Sequence, residues 1–333
     1  MAGISILGTG GYSPPFTLTN AMLETIVDTT DEWVRLRTGI RSRRIASGGE
    51  STLSMAARAA EHALEGIDRS TVGLIVAATI TPDYLTPSLS CLLQRELKLP
   101  GTATAMDVNA ACSGFVVALK TAHAFLADMP GKVALIVGSE LLSRIVDYTD
   151  RATSILFGDG AGAAVVQRVD GGEFLYDGGA SGNTELLACR AQYLCNNPFV
   201  SRESDSRPAA LSMNGAEVFR FAIETCAESV KRTLARAQCS VGDVDQFIFH
   251  QANSRIIDGI VRKIGASPDR CIINIAEHGN TSSATCALAL DELFRAGKIR
   301  TGDRVVLSAF GAGMTYATAM FTRESRESVK ASR

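Results

Sequence analysis

Seven short runs rich in apolar and β-branched residues recur along the chain, and helix-like stretches separate most of them. The runs are GLIVAATIT at 73–81, TATAMDVNA at 102–110, KVALIVGS at 132–139, GAAVVQRV at 162–169, DQFIFHQA at 245–252, RCIINI at 270–275 and DRVVLSAF at 303–310. The helix-like stretches are 52–66, 87–97, 113–128, 217–237, 254–264 and 283–296. Strands that alternate with helices and are apolar throughout are buried on both faces of a sheet. The pattern therefore predicts an α/β layered fold.

The order of these segments repeats in two halves. In the first half a strand at 73 is followed by a strand entering a small-residue helix at 104–128 and a strand at 132. In the second half the same order occurs at 245, 270–296 and 303. Such a repeat predicts two similar units, 1–170 and 171–333, around a pseudo-twofold axis. It also predicts that Cys112 and Asn280 occupy equivalent places, each after a strand and before an Ala-rich helix.

Charge and composition exclude several classes of function. A net charge of -2 and a pI near 6.1 give no overall attraction to nucleic acid or an anionic membrane, so an acidic partner needs a local basic patch. No run is long enough to span a bilayer, and MAGISILGTGGY predicts a first strand entering a glycine turn rather than a secretory signal. The eight cysteines include no C-x-x-C pair, which predicts free thiols and no zinc site. We expect a cytoplasmic protein.

One of these cysteines has distinctive surroundings. In MDVNAACSGFVVALK, at 106–120, Cys112 lies where an apolar strand meets a helix of small and apolar residues. The N-terminus of a helix presents unpaired N–H groups and a positive dipole end, which lower the pKa of a thiol. The helix is predicted to be buried all round, and a reactive group at the centre of the molecule suits a long, thin substrate. Cys112 is therefore predicted to be a nucleophile.

Other polar groups stand at the ends of predicted strands. His250, in FIFHQAN, follows an apolar strand, where α/β folds place ligand groups. Asn280, in EHGNTSSA, stands at a strand-to-helix junction, where an Asn is also a common helix cap. In SAFGAGMT, at 308–315, a strand enters a glycine-containing turn. Its backbone N–H groups can form an oxyanion hole with that of Cys112, so the set predicts one reactive centre.

Taken together, these residues resemble the thiolase-fold condensing enzymes, and within them the β-ketoacyl-acyl-carrier-protein synthase III family. The matching motifs cover nearly the whole chain: LGTGGYSPP, DTTDEWVRLRTGIRSRRIA, NAACSGF, DRATSILFGDGAGAAV, HQANSRII, HGNTSSA and AFGAGMT. The resemblance implies an αβαβα sandwich of two pseudo-twofold-related halves. It also implies a homodimer that pairs through its central sheets.

The resemblance further implies a ping-pong condensation that initiates fatty acid biosynthesis. Cys112 would take an acyl group from acyl-CoA, after which malonyl-acyl carrier protein would enter and lose CO2. His250 and Asn280 inherit the hydrogen bonds that stabilise the resulting enolate, and the N–H groups of Cys112 and Ala312 inherit the oxyanion hole. The products would be 3-oxoacyl-acyl carrier protein, CO2 and CoA. No metal, flavin or nicotinamide is implied.

Further residues match the family's substrate-binding positions. CoA binding is implied for Trp33, Arg37, Arg151, Asn253 and Phe310, and carrier-protein binding for Arg220, Arg255, Arg262 and Lys263. Thr86 stands in the acyl pocket where short-chain members carry a bulky aromatic residue, which predicts a pocket that accepts more than acetyl. Ala216 replaces an Asn near pantetheine, and Ala312 replaces the middle glycine of the turn. The irregular polar segment 182–210 is predicted to be an excursion or lid.

Four other readings of the residues remain. The order Cys, His, Asn also fits a papain-like hydrolase, although no C-G-x-C-W segment is present. A thiolase would carry a second cysteine where this chain has Ala309, so decarboxylative condensation is favoured. Condensing enzymes of secondary metabolism, of polyketide or quinolone type, share the three reactive residues. A non-catalytic acyl-binding protein is disfavoured because all three are retained.

Overall fold

The computed structural model describes residues 2–191, 199 and 210–324. The strands in these ranges are β1 Ala2–Tyr12, β2 Phe16–Thr19, β3 Ser42–Ile45, β4 Val72–Ala78, β5 Thr104–Val108, β6 Val133–Glu140, β7 Gly160–Asp170, β8 Phe174–Asn183, β9 Leu187–Cys189, β10 Leu211–Met213, β11 Gln246–Phe249, β12 Arg304–Gly311 and β13 Gly313–Thr322. The helices are α1 Asn20–Leu23, α2 Asp31–Thr38, α3 Thr52–Ala63, α4 Leu89–Glu96, α5 Gly114–Phe125, α6 Arg151–Ser154, α7 Gly215–Arg236, α8 Ser254–Ile264, α9 Ile275–His278 and α10 Thr285–Arg295. None of these helices is long and apolar enough to cross a membrane.

Two main sheets share one plan. The first has the order β1-β7-β6-β4-β5 and the second the order β8-β13-β12-β11. In both, two antiparallel pairings are followed by a parallel one. The place of β5 in the second sheet is taken by Cys271, which bridges Phe247 in parallel. Because β7 ends at Asp170 and β8 begins at Phe174, we propose residues 1–170 and 171–333 as the two halves.

Helices cover and separate the sheets in five layers. The helices α3 and α4 pack on the outer face of the first sheet, and α7 and α8 pack on the outer face of the second. Between the sheets, Phe115 and Leu119 of α5 and Leu290 of α10 join one buried cluster with Ile136 of β6 and Leu307 of β12. The αβαβα arrangement expected from the resemblance is confirmed. Most helices and strands lie within a few residues of their predicted ranges, because their apolar patterns match their burial.

The glycines of the first strand serve helix packing rather than a turn. The chain continues in β1 to Tyr12, so the expected glycine turn is wrong. A Cβ atom at Gly8 would lie 2.2 Å from the carbonyl oxygen of Ala63, and one at Gly10 would lie 2.1 Å from that of Ala59. Both carbonyls belong to α3. The missing side chains therefore let this helix approach the strand closely.

The strand predicted at 270–275 is absent apart from the single bridge at Cys271. A 3₁₀ turn at Pro268–Arg270 ends directly before it, and α9 begins at Ile275. The side chain of Gln251 replaces ladder hydrogen bonds in between. Its Nε2 donates to the Ile272 carbonyl at 3.1 Å, and its Oε1 accepts from the Asn274 N–H at 3.0 Å. The backbone is thus satisfied without a strand.

The predicted equivalence of Cys112 and Asn280 is wrong by three residues. A 3₁₀ turn precedes each central helix, and each turn begins with a residue in the left-handed region, Ala111 at φ +46° and Ser282 at φ +48°. Counted from these positions, Cys112 corresponds to Ser283. The sequence pattern located both junctions but could not align them, since the backbone angles determine the register.

The same alignment pairs Asn280 with Asn109. The side-chain oxygen of each accepts the N–H of the left-handed residue two positions later, at 2.9 Å for Asn280 and Ser282 and at 3.4 Å for Asn109 and Ala111. Such a local side-chain bond offsets part of the cost of a left-handed residue that is not glycine. The two halves therefore share a turn motif as well as a sheet order.

A glycine in each sheet lies directly against the turn of the other half. A Cβ atom at Gly138 would lie 2.4 Å from the Ser283 carbonyl oxygen, and one at Gly311 would lie 2.5 Å from the Cys112 amide nitrogen.

We expect Gly138→Ala to lower the free energy of unfolding by about 1–3 kcal/mol, because a methyl group there must displace buried backbone. Urea denaturation checks this. Gly101→Ala is the matched control, since no atom lies within 4 Å of a Cβ built there; equal stability of the two variants would contradict the expectation.

Candidate active site

One cavity brings the predicted reactive residues together. Cys112, His250 and Asn280 all line it. Two of the residues implied in CoA binding, Asn253 and Phe310, line it as well. The remaining wall is mostly apolar and consists of Leu156, Phe157, Leu187, Met213, Gly215, Val218, Phe219, Ala252, Ile256 and Gly311. The prediction that these residues converge on one centre is therefore matched by their positions.

Cys112 lies at the start of the central helix, as predicted. It belongs to the 3₁₀ turn Ala111–Ser113, and α5 follows from Gly114. Its side chain is partly accessible from the cavity, but protein atoms surround the thiol, and this burial raises its pKa to about 12. The expected lowering of the pKa is wrong, because desolvation of a thiolate outweighs the favourable helix terminus. The thiol therefore needs help to lose its proton.

Backbone N–H groups beside the thiol are available to a ligand. Among the described residues, the amides of Cys112 and Ala312 donate to no other residue. Thr315 holds their two loops together, since its hydroxyl lies 3.0 Å from the Ala110 carbonyl oxygen and accepts from Ser113 Oγ at 3.0 Å. This geometry suits an oxyanion hole. Sequence reasoning missed Thr315, although a hydroxyl residue two positions after the last glycine of the turn was a usable signal.

The backbone of Asn280 is fixed by an isolated parallel bridge. Its N–H donates to the Leu156 carbonyl at 2.8 Å, and its carbonyl accepts from Gly158 N–H at 3.0 Å. Its Oδ1 is already occupied by the N–H of Ser282. Within the described ranges Nδ2 has no acceptor, so its hydrogens are left for a ligand in the cavity.

His250 is held just beyond the end of β11. It is 2% exposed, and its backbone N–H donates to the Ser308 carbonyl at 2.9 Å. Its ring meets that of Phe310 edge-on, with 5.2 Å between the ring centroids. Nδ1 is buried with no hydrogen-bond partner in the described part of the chain. Burial lowers the pKa of the imidazole to about 3. At neutral pH the ring is therefore uncharged and carries a single N–H.

We expect His250 to remain neutral from pH 5 to 8. Its pKa is about 3 in the folded state and about 6.5 in an unfolded chain, so only the unfolded chain takes up this proton as the pH falls below about 6.5. Its contribution to stability is therefore complete above that pH and declines below it. Ring ¹⁵N chemical shifts check the charge, with His250→Gln identifying the resonance. A titration midpoint between pH 5 and 8 would contradict the assignment.

The residues implied in binding the CoA nucleotide meet at the surface. Trp33 is 37% exposed, and the guanidinium carbons of Arg37 and Arg151 lie 5.8 and 5.1 Å from its ring centroid. Both distances are within the range of cation–π attraction. Asn253 donates from Nδ2 to the Arg37 carbonyl at 3.0 Å and also lines the cavity. It therefore connects the aromatic and basic surface group to the reactive centre.

Four basic residues were implied in carrier-protein binding, and all four are exposed. They are Arg220, Arg255, Arg262 and Lys263. Arg220 pairs with Glu217 at 3.2 Å, and the guanidinium of Arg255 lies over the Phe219 ring at 5.6 Å. The other two, in the last turn of α8, have no ion pair with any described residue. They are the members of this patch most available to an acidic partner.

Two expectations about the acyl pocket have different outcomes. Thr86 is exposed beside Leu85, which is 85% exposed, and Thr86 does not line the cavity within this chain. Its role in the acyl pocket stays a prediction. Within the segment 182–210, β9 pairs with β10, which follows the segment directly. Leu187 of β9 lines the cavity, so part of the expected excursion covers the site. Residues 192–198 and 200–209 lie outside the described residues.

Comparison with known proteins identifies the family. Two family descriptions match: 3-oxoacyl-[acyl-carrier-protein] synthase III over residues 106–177, and the C-terminal part of the same enzyme over residues 234–323. A β-ketoacyl-[acyl-carrier-protein] synthase III of Clostridium acetobutylicum is 41% identical over 322 residues, which cover 96% of this chain and 98% of that protein. The chain belongs to the β-ketoacyl-[acyl-carrier-protein] synthase III family.

Solved structures of similar proteins have the same fold. The 3-oxoacyl-[acyl-carrier-protein] synthase III of Aquifex aeolicus VF5 is 38% identical with a TM-score of 0.87, covering 96% of this chain and all of that one. A second structure is the priming β-ketosynthase from the R1128 polyketide biosynthetic pathway. It is 37% identical with a TM-score of 0.88, and 97% of each chain is covered. The thiolase fold expected from the motifs is therefore confirmed.

Proposed function

We propose that this synthase III is an acyltransferase that initiates fatty acid biosynthesis. It condenses an acyl-CoA primer with malonyl-acyl carrier protein and releases 3-oxoacyl-acyl carrier protein, CO2 and CoA. The observation that carries this proposal is the convergence of Cys112, His250 and Asn280 on one largely apolar cavity in a chain of this family. A homodimer and a cytoplasmic location, both expected at the outset, stay predictions.

The first half-reaction uses the surface group and the thiol. The CoA nucleotide binds at Trp33, Arg37 and Arg151, and its pantetheine arm passes Asn253 into the cavity. Cys112 attacks the thioester carbonyl, CoA leaves, and an acyl-enzyme remains. The developing oxyanion accepts hydrogen bonds from the N–H groups of Cys112 and Ala312. These donors are fixed before the reaction, so they need not reorganise as charge develops.

The second half-reaction uses the other two residues. The single N–H of the neutral His250 ring and the free Nδ2–H of Asn280 donate to the thioester oxygen of malonyl-acyl carrier protein. They stabilise the enolate that forms when CO2 is lost, and the enolate carbon then attacks the acyl group on Cys112. A neutral imidazole suits this role because it donates a hydrogen bond without transferring a proton. We propose that no metal, flavin or nicotinamide takes part.

A second candidate is a priming condensing enzyme of polyketide synthesis. It is supported by the likeness to the R1128 priming β-ketosynthase, which is as close in fold as the Aquifex enzyme. The same three reactive residues serve both candidates. The primer and the carrier protein distinguish them, so both must be measured.

Acylation of the enzyme tests the first half-reaction. We expect intact-mass spectrometry to show an acyl increment on the wild type, and none on Cys112→Ala, after incubation with acyl-CoA. Acetyl-, butyryl-, octanoyl- and lauroyl-CoA are compared to rank chain length. With Thr86 in place of a bulky residue, octanoyl is expected to react faster than acetyl. Equal or faster reaction with acetyl-CoA would contradict the wide pocket, and no increment with any donor would contradict the proposed function.

Charge reversal at the two unpaired basic residues of α8 tests whether they bind malonyl-acyl carrier protein. We expect Arg262→Glu with Lys263→Glu to raise the KM for malonyl-acyl carrier protein about tenfold or more, because like charges then face an acidic partner. The rate of acylation by acyl-CoA should stay near that of the wild type. Lys298→Glu, at another exposed site, is the matched charge control. A parallel rise in the control, or an unchanged KM in the double variant, would place the carrier protein elsewhere.

A further inference from the structure

A buried carboxyl group joins the two halves of the molecule, and the mechanism above does not use it. Glu140 is the last residue of β6 and is 0% exposed. Removing a carboxyl group from water is unfavourable unless hydrogen bonds inside the protein replace those to solvent. This loss of solvent raises the pKa of Glu140. The hydrogen bonds that compensate for its burial therefore indicate what Glu140 holds in place.

Each carboxyl oxygen of Glu140 binds one half of the molecule. Oε2 accepts hydrogen bonds from the hydroxyl groups of Thr81 at 2.7 Å and Thr79 at 3.2 Å, both in the loop after β4. Oε1 accepts hydrogen bonds from the hydroxyl groups of Ser283 at 2.8 Å and Ser282 at 3.3 Å, both in the turn before α10. The side chain thus connects a loop of the first half to a turn of the second.

The loop of the first half is also fixed by other hydrogen bonds. The Thr81 carbonyl accepts from Thr52 Oγ1 at 2.6 Å, and Thr81 Oγ1 accepts from the Leu141 N–H at 2.8 Å. Thr79 Oγ1 accepts from the Thr81 N–H at 3.1 Å. Because each of these two hydroxyl groups already accepts a backbone N–H, its own hydrogen remains for the carboxyl group. Glu140 is therefore anchored on this side and can hold the opposite turn.

The turn of the second half determines the orientation of the Asn280 amide. The Ser282 N–H donates to Asn280 Oδ1 at 2.9 Å, and Ser282 is in the left-handed region at φ +48°. With Oδ1 engaged in this way, Nδ2 is left for the cavity. Rotation of the amide by 180° would exchange the two atoms and present an acceptor to a thioester oxygen, which has no hydrogen to donate. Holding the turn therefore keeps the donor in place.

We propose that Glu140 is a positioning residue for Asn280. Its Oε1 binds the hydroxyl groups of Ser282 and Ser283 and keeps their turn against the first half. Asn280 Oδ1 then stays bound to the Ser282 N–H, and Nδ2 faces the thioester oxygen of malonyl-acyl carrier protein. Glu140 does not line the cavity and acts only through the turn. The substrate named here rests on the proposed function, whereas the orientation of the amide does not.

This role needs hydrogen bonds rather than a charge. In Glu140→Gln, an oxygen in the place of Oε2 still accepts from Thr81 and from the Ile80 N–H, which lies 3.1 Å from Oε2. An amide nitrogen in the place of Oε1 donates to Ser283 Oγ, whose own hydrogen is then available to the Ala78 carbonyl oxygen at 2.8 Å. Both halves therefore stay joined in this variant. The apolar side chain of Glu140→Leu keeps none of these bonds.

Steady-state kinetics of the two variants test the positioning role. For Glu140→Leu we expect the kcat of condensation to fall about 10- to 100-fold, because a donor to the developing oxyanion is misplaced. The KM for malonyl-acyl carrier protein and the rate of acylation by acyl-CoA should stay near those of the wild type. Glu140→Gln should recover most of the lost kcat. Ser139→Ala is the matched control; it removes a buried hydroxyl of the same strand, bonded to the Thr52 carbonyl, and should keep the wild-type kcat.

Nuclear magnetic resonance reads the amide orientation without any substrate. The side-chain ¹⁵N–¹H signals of Asn280, identified by their absence in Asn280→Asp, are compared between the wild type and the variants. We expect one pair of signals in the wild type and a shifted or doubled pair in Glu140→Leu. Glu140→Gln should restore the wild-type pair, because it keeps the turn joined to the first half.

Each other outcome has a defined meaning. An unchanged kcat or an unchanged Asn280 signal in Glu140→Leu, or an equal loss in Glu140→Gln, would overturn the positioning role. A parallel loss of acylation would indicate disturbed structure and would also overturn it. If Glu140→Leu does not fold, Ser283→Ala decides, since it breaks a bond to the second half, keeps those to the first and should lower kcat in the same way. Expected Asn280 signals without condensation by the wild type would reject the proposed function alone.

Discussion

The reactive centre depends on two contacts in which the backbone of a glycine in one half meets a turn of the other. Gly138 lies against Ser283, and Gly311 lies against Cys112, at distances that leave no room for a side chain. These contacts press each sheet onto the turn that begins the opposite central helix. Because Asn280 lies three residues before Ser283, the same packing sets both the nucleophile and the amide. The geometry of the site is therefore a consequence of how the halves join.

Burial at this junction determines the charge of each reactive group. It keeps His250 neutral, which suits a hydrogen-bond donor, but it also raises the pKa of Cys112, which opposes nucleophilic attack. A buried site thus favours the half-reaction in which His250 donates a hydrogen bond and hinders the one in which Cys112 attacks.

Sequence patterns predicted the layers and the reactive residues but not the details that depend on packing. Apolar periodicity located β6 and α5, and polar residues at strand ends pointed to His250. The strand expected at 270–275 failed because Gln251 satisfies the backbone there, which no local pattern reveals. The burial of Glu140, the last residue of β6, was missed for a related reason. A carboxylate at the end of an apolar strand resembles a surface residue, but here Thr81 and Ser283 donate hydrogen bonds to it and it is fully buried.

Under the proposed function, one site can serve two substrates because surface groups select each substrate and the residues in the central cavity carry out the reaction. Cys112, His250 and Asn280 line the same cavity, so two pantetheine-linked substrates must occupy it in turn. Sequential occupation requires that the acyl group stay behind when CoA leaves, and the thioester on Cys112 retains it. Groups outside the cavity then select each substrate. Trp33, Arg37 and Arg151 bind the nucleotide of CoA, and the end of α8 binds an acidic protein. Under the proposed function, a ping-pong order thus follows from the covalent acyl-enzyme on Cys112.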